Sequence, residues 1–411
     1  YVAGRGYHSP TDGTLTVSDG TQSVIVSNGG WQLSIPDGSL VTLTATATNP
    51  SKTTSQFSNA QVTELGLIFT VLNTNDSGFG SLRQAILNAN LVPGVQTIDF
   101  AIPGSGIQSI AVLSELPAIT EAVIIDAKTQ PGFNGAPLIE VVGANAGGTA
   151  NGFTILAGPS TLDSLIIRNF AAAGVLIPGA SANTLLNSII NANGGEGVRI
   201  VNSSNNIIGG AAPNTITANA GAGVNVADAA SLGNAILGNS IFSNGGLGIL
   251  LASGVFNPSI PVTIDSALIN AGTLTVEGTL SAASNTTYRV EFFDNGAPDP
   301  SGFGEGEIFL GFLDVTTDSA GNATFSFSTT AVTAIDRFIT ATATNPANTT
   351  SQFSNAQITD PVEFVVTNTN DNGRGSLRRA LTFANKFAGV QTITFAIPGS
   401  GVMSISPLSA L

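Results

Sequence analysis

The chain has 411 residues, of which 42% are hydrophobic and only 9% charged, against about 25% charged in an ordinary soluble domain. It has no Cys and a single His, His8, which excludes disulfide scaffolds, thiolate metal sites, cysteine nucleophiles and multi-histidine centres. A formal net charge of −14 repels nucleic acid and anionic membrane surfaces, and no apolar run is long enough to span a bilayer.

Residues 1–66 read as a β-sandwich or the tail of one, with Trp31, ahead of the strand-like run QLSIP, as a core anchor. Residues 81–90 (SLRQAILNAN) carry Leu82, Ala85, Ile86 and Ala89 at helical spacing behind Ser81, a suitable N-cap. This predicts a short amphipathic helix. Over 67–261 it would cap a stack of coils, because an open coil end exposes unpaired strand edges over an apolar core. Arg83, and its counterpart Arg378, would pair with a carboxylate or with loop carbonyls.

From Gly152 onward a short repeat is visible. Gly152, Gly174, Gly197, Gly223 and Gly248 open GFTIL, GVLIP, GVRIV, GVNVA and GILLA. Positions one and three after each Gly are apolar, which is the period-two signature of a strand with one buried face. Two further apolar pulses follow each of these runs. Three short strands per turn of 22 to 26 residues predict a parallel β-helix. Asn193, Asn219 and Asn244 form one column in this register, and Asn187, Asn214 and Asn239 a second. Stacked Asn side chains can bond from coil to coil, so at least one column is expected to be an internal ladder. The other reading is that Asn only serves the turn.

Residues 262–360 change character. Alternating runs such as TLTVEG, TYRVEFF and ATFSFS between turn signals predict an immunoglobulin-like β-sandwich. Residues 361–411 then restart the pattern. Residues 343–359 match 47–63 at 14 of 17 positions, GSLRRAL at 375–381 answers GSLRQAI at 80–86, and VQTITFAIPGSG answers VQTIDFAIPGSG. The unit is about 295 residues, the expected arrangement being a modular array entered late in one unit and left early in the next. The fold class is therefore all-β: a right-handed parallel β-helix with a short capping helix, flanked by immunoglobulin-like sandwiches.

The run FTVLNTNDSGFGSLRQAILNAN resembles the CSLREA-type segment at the start of large bacterial surface proteins. Gly80 and Gly375 stand where that family often has Cys, and Gln84 and Arg379 replace its Glu. The coils that follow resemble the right-handed β-helix repeats of those proteins, and VEFFDNGAPDPSGFGEGEIFLG, TTDSAGNATFSFS and FITATATNPANTTSQFSNA resemble their recurrent sandwich module. The resemblance implies an extracellular or cell-surface protein and no established catalytic residue.

Right-handed β-helices also house polysaccharide lyases and hydrolases, which need clustered carboxylates, or a carboxylate with a basic partner. Between Gly152 and Ser253 the charged residues are Asp163, Arg168, Glu196, Arg199 and Asp228, at different coil positions. The outward residues Thr154, Leu176, Arg199, Asn225 and Leu250 make no constellation, and Glu196 with Arg199 reads as a surface pair. The expectation is that the chain is not an enzyme. The densest acidic group, Asp294, Asp299, Glu305 and Glu307 on a Gly-rich stretch, offers hard oxygen ligands to calcium, the alternative being a solvated turn. No other cofactor is implied. The function expected is a structural repeat segment forming a stalk, fibre, filament or sheath. Its partners would be adjacent repeats or neighbouring copies. An adhesin for glycans or another cell is the alternative, and a polysaccharide-acting enzyme the third.

Overall fold

The computed structural model describes residues 68–411, except 298, 302, 303, 333, 387 and 388, together with the short strands Thr14–Val17, Thr42–Leu43, Ala45–Thr48 and Gln61–Val62. The expected sandwich over 1–66, with its Trp31 anchor, lies otherwise outside the described residues.

The period-two pattern folds as expected into a right-handed parallel β-helix of three sheets. The longest has seven parallel strands, from Ile68–Val71 through Gln96–Phe100, Val123–Asp126, Thr161–Asp163, Thr184–Leu186 and Ile207–Gly209 to Ala235–Leu237. A six-stranded sheet runs from Gln108–Ala111 to Ser240–Phe242, and a five-stranded sheet from Phe153–Thr154 to Ile249–Leu251. Coils thus begin well before Gly152, where the glycine repeat first becomes legible. Alternate side chains point inward and stack in columns: Val175, Val198, Val224 and Ile249 on one sheet, Ile167, Ile190, Ile216 and Ile241 on another, all buried. Seven strands at about 4.8 Å give a stack of about 30 Å.

The repeated glycine is explained by close approach between coils. A Cβ on Gly174, Gly197 or Gly223 would lie 2.5 Å from the Cγ2 of Ile190, Ile216 or Ile241 respectively. None of these three has a positive φ; the requirement is space for the neighbouring isoleucine and backbone.

Asparagine fills the turns with a continuous polar column. Asn193 Nδ2 donates to Asn219 Oδ1 at 2.9 Å and Asn219 Nδ2 to Asn244 Oδ1 at 3.0 Å. Each Asn also accepts from the backbone N–H of its predecessor and donates to a carbonyl of an earlier coil. Asn214 and Asn239 are joined in the same way at 3.0 Å, preceded in the column by Ser188. Asn187 is one residue out of this register; it has a positive φ of 43° and bonds Ser164 and Gly135 instead. A third ladder, Asn183 to Asn206 to Asn234, has links of 3.0 and 2.7 Å. Its asparagines are spaced by an uneven coil, which hides the column from a fixed-offset reading of the sequence.

Helix α1, Leu82–Ala89, closes the first coil. Ser81 Oγ accepts from Gln84 N at 3.2 Å, and Leu82, Ala85, Ile86 and Ala89 are the buried face. Arg83 ties the cap down: its guanidinium meets Asp76 at 2.7 Å and donates to the Glu115 and Ser114 carbonyls. Helix α2, Leu377–Lys386, repeats this, with Arg378 on Asp371 at 2.7 Å and on the Ser409 and Ala410 carbonyls. The parallel pair Val365–Val366 with Thr394–Phe395 accompanies it.

Residues 262–361 form two four-stranded sheets, antiparallel except for the Val262–Asn270 and Asp360–Pro361 pair. Phe292 of one sheet stacks on Phe327 of the other at 4.3 Å and meets Phe325 edge-on at 5.5 Å. One end of this region seals the last coil. Ile241 and Gly306 exchange two backbone bonds of 2.7 Å, Thr350 Oγ1 accepts from Ile236 N, and Thr349 Oγ1 from Gly233 N. The amides and carbonyls that would otherwise be an open edge are thereby satisfied.

Candidate functional site

The outer face of the seven-stranded sheet carries an acidic column. Ile98, Ile125 and Leu162 point inward and are fully buried, so the next residue on each strand points outward. Those residues are Asp99, Asp126 and Asp163, direct partners in the parallel register. Neighbouring members therefore stand on strands about 4.8 Å apart. The short 3-10 turn Ala127–Thr129 leads Lys128 back over the column, where its Nζ lies 2.6 Å from Asp163 and 3.9 Å from Asp126. Asp126 also accepts from Lys128 N at 3.1 Å, and Ser164 Oγ donates to Asp163 at 2.8 Å.

The three carboxyls differ in environment. Burial, and then the negative charge of Asp126, push Asp99 above the usual carboxylate range. The hydrogen bond to Asp163 raises Lys128, burial opposes it, and the charges of Asp163 and Asp126 add to the rise. A carboxyl held above its ordinary range thus stands beside lysine-held carboxylates. Such a separation of roles is what general acid–base chemistry requires. Asp99 and Asp126 lie in coils before Gly152, where the glycine repeat is not yet legible, and one Asp per strand at uneven spacing is their only signal in the sequence.

Several other charged side chains on the coils are engaged in pairs. Arg168 lies 2.6 Å from buried Glu140 on the six-stranded sheet. On the five-stranded sheet Thr154, Leu176, Arg199, Asn225 and Leu250 do form one outward column. Glu196 accepts from Arg199 at 2.7 Å and Asn225 at 2.8 Å. Burial raises this carboxyl, but the Asn225 bond, a backbone bond and the Arg199 charge outweigh it and hold it below its usual range.

The structure spreads the four candidate calcium ligands over separate tasks. Asp294 takes Arg337 in a two-oxygen contact at 2.9 and 3.0 Å. Glu307 accepts from Gly296 N at 2.9 Å, with Arg337 3.9 Å away. Asp299 accepts from Ser301 N at 2.7 Å. Glu305 accepts from Ser243 N at 2.7 Å and Asn244 N at 3.0 Å, so its carboxylate occupies the place the next asparagine would take in the Asn193–Asn219–Asn244 ladder. Burial pushes this carboxyl up, against the pull of those two amides. Among the described residues no group of three or more acidic, His or Cys side chains is gathered to hold a metal ion.

A family model described as the right-handed beta helix region matches residues 142–273, which accords with the observed coils. No curated protein matches. Among solved structures the chain is similar to the enzymatically active domain of tailspike protein 2 of bacteriophage CBA120, at 10% identity over 66% of each chain and a TM-score of 0.18. It is also similar to tailspike protein gp49 of Acinetobacter baumannii bacteriophage Fri1, a capsular polysaccharide depolymerase. There the identity is 8% over 72% of this chain and 86% of that one, with a TM-score of 0.18. The expectation that the chain is not an enzyme is corrected by these neighbours, an enzymatically active domain and a capsular polysaccharide depolymerase. Likeness at these TM-scores assigns no reaction. Among the described residues no helix is long and apolar enough to cross a membrane.

Proposed function

We propose that the chain is a structural segment of a large extracellular or cell-surface protein of the CSLREA type. In it, capped β-helices alternate with immunoglobulin-like sandwiches, 1–66 and 262–360, to make a stalk, fibre or sheath. The observation that carries this reading is the sealed junction at the last coil. Ile241, Gly306, Thr349, Thr350 and Glu305 bond the double-sheet region to the β-helix as if it were a further coil. Load then passes through hydrogen-bonded strands rather than through a flexible linker. Few charges and no Cys make such a rod insensitive to salt and redox state. Electron microscopy of native material tests the proposal. Stiff filaments or stalks with one fixed axial repeat per unit of about 295 residues support it; beads moving independently on flexible connections overturn it.

A second reading is favoured by the acidic column: the outer face of the seven-stranded sheet acts on a polysaccharide. Asp99, the carboxyl raised by burial and by the charge of Asp126, would protonate the leaving oxygen. Asp126, on the next strand, would act as the second carboxylate. The strand spacing of about 4.8 Å is near the separation of about 5–5.5 Å used by retaining glycoside hydrolases. Release of reducing ends from a panel of capsular polysaccharides, lost by about 100-fold or more in Asp99→Asn and Asp126→Asn, supports this reading. Equal release by wild type and both variants overturns it.

A further inference from the structure

A cleft of about 310 Å³ opens where the double-sheet region meets the second cap. Small-molecule sites occupy about 300–1,000 Å³ and concentrate at such domain junctions. One wall carries Asp265 of the strand Val262–Asn270 and Gln357 of the short strand Gln357–Ile358. The other carries Asn372 from the turn before α2, and Arg379 and Lys386 from α2 itself. Asp265 is the extra residue of a β-bulge, between the paired residues Ile264 and Ser266. A bulge re-aims a side chain at the expense of ladder pairing, and bulges recur beside functional sites for that reason. Besides the clamp Arg378, and Asp360, which pairs with Arg379, the cleft thus gathers two cations, a carboxylate and two carboxamides.

Helices α1 and α2 are two copies of one element, so their differences separate what a cap needs from what it does not. At the offset of 295, Ser376, Arg378 and Ala380 keep Ser81, Arg83 and Ala85, the N-cap, the clamp and the buried face. The cleft positions Arg379, Thr382, Phe383 and Lys386 stand against Gln84, Leu87, Asn88 and Leu91. Capping therefore calls for neither cation. Docking on the double-sheet region uses them only in part. Arg379 meets Asp360 at 2.9 Å, but its Nε is buried with no partner among the described residues. A buried donor without an acceptor is rare and marks a place where a bound group or water completes the set. Lys386 meets Glu277 at 3.3 Å with side chains 43% and 51% exposed, a contact that stabilises little. Both cations keep capacity for a further anion.

We propose that this cleft binds a carboxylate-bearing sugar, a hexuronate unit of an acidic polysaccharide. Lys386 and Arg379 hold its carboxylate, and Asp265, Gln357 and Asn372 bond its ring hydroxyls. The assignment follows from the donor set. Cationic side chains make their strongest hydrogen bonds to carboxylates and phosphates. An ionised Asp only accepts, and a carboxamide both donates and accepts, which suits neighbouring hydroxyls on a ring. A bare anion such as phosphate uses the cations and leaves Asp265 and the carboxamides without a role. The stalk reading names no ligand, and the acidic column lies on the outer face of the coils, so this site stands apart from both. Microscopy can fail to show a stiff rod while the sugar still binds.

Calorimetric titration of the full chain decides it, with three probes: trigalacturonate, the neutral trisaccharide of galactose, and inorganic phosphate. The expected result is binding of trigalacturonate well above that of the other two. Lys386→Ala and Asp265→Ala should each weaken it about tenfold or more, and Arg199→Ala, on the five-stranded sheet, should leave it unchanged. Equal binding of the neutral trisaccharide overturns the role of the carboxylate. Phosphate binding as tightly as trigalacturonate, with no effect of Asp265→Ala, reduces the cleft to an anion site and overturns the sugar. Absence of binding by trigalacturonate overturns the proposal outright.

Discussion

Asn219 shows how one residue type serves a stacked fold. Its side chain accepts from the N–H and the amide of Asn193, and donates to Asn244 and to the Ile190 carbonyl. Leucine at this position fits the apolar surroundings but strands several buried polar groups, each costing about 1–3 kcal/mol. Asn219→Leu should therefore lose at least about 3 kcal/mol in urea denaturation, whereas the exposed Asn75→Leu should change little. Titration gives a second residue-scale test. Burial raises the Glu291 carboxyl, against the Gly238 amide and the Arg289 bond and charge. The folded state then binds this proton more tightly than the unfolded chain. Its contribution to stability is present below the unfolded value near pH 4.3 and is lost as pH rises through the raised folded value. Glu291→Gln should remove that part of the pH dependence. Asp76 works in the opposite sense. Burial raises it, but the Arg83 bond, the Leu113 amide and the Arg83 charge leave it lowered. Its stabilisation is present above the unfolded value and lost as pH falls through the folded one, so Asp76→Asn should flatten the acid limb of the stability curve.

At the level of elements, helix α1 and the coil glycines are the points where a small change has a long reach. Ile86 is buried beneath the cap, and Ile86→Ala should cost about 2–5 kcal/mol, with Ile86→Asp costing more; unchanged melting would remove α1 from the role of cap. Gly197→Ala forces a Cβ to within 2.5 Å of Ile216 Cγ2 and 2.7 Å of the Gly223 carbonyl, so neighbouring coils must separate. Thermal melting should fall for Gly197→Ala and not for Gly148→Ala, where a Cβ meets open space and φ is not positive.

For the whole molecule, the decisive contact is the closure of the last coil by the double-sheet region. A chain ending at residue 261 would expose the edges at Ile236 and Ile241 that Thr350 and Gly306 now satisfy. Unpaired parallel edges over an apolar core promote end-to-end association. Light scattering should show the shortened chain growing into oligomers under conditions that keep the full chain dispersed. A monomeric shortened chain would mean that the seal is dispensable.

Local pattern alone determined much of this. Alternating apolar residues after Gly174, Gly197 and Gly223 specify strands with one buried face, and Leu82, Ala85, Ile86 and Ala89 specify a helix with one buried face, because side-chain periodicity follows from backbone geometry. Arg83 and Arg378 were legible as clamps from their equivalent places in the repeat. What only the tertiary structure decided depends on how coils of unequal length come into register. The Asn183–Asn206–Asn234 ladder, the displacement of Asn187 from its column, and the alignment of Asp99 with Asp126 and Asp163 all follow from register between strands. The same holds for Glu305, which reads in sequence as part of an acidic loop and in the fold as the last rung of an asparagine ladder. Sequence spacing along the chain carries the period within a strand. Turns of variable length erase the period between coils, and the hydrogen bonds between stacked strands restore it only in three dimensions.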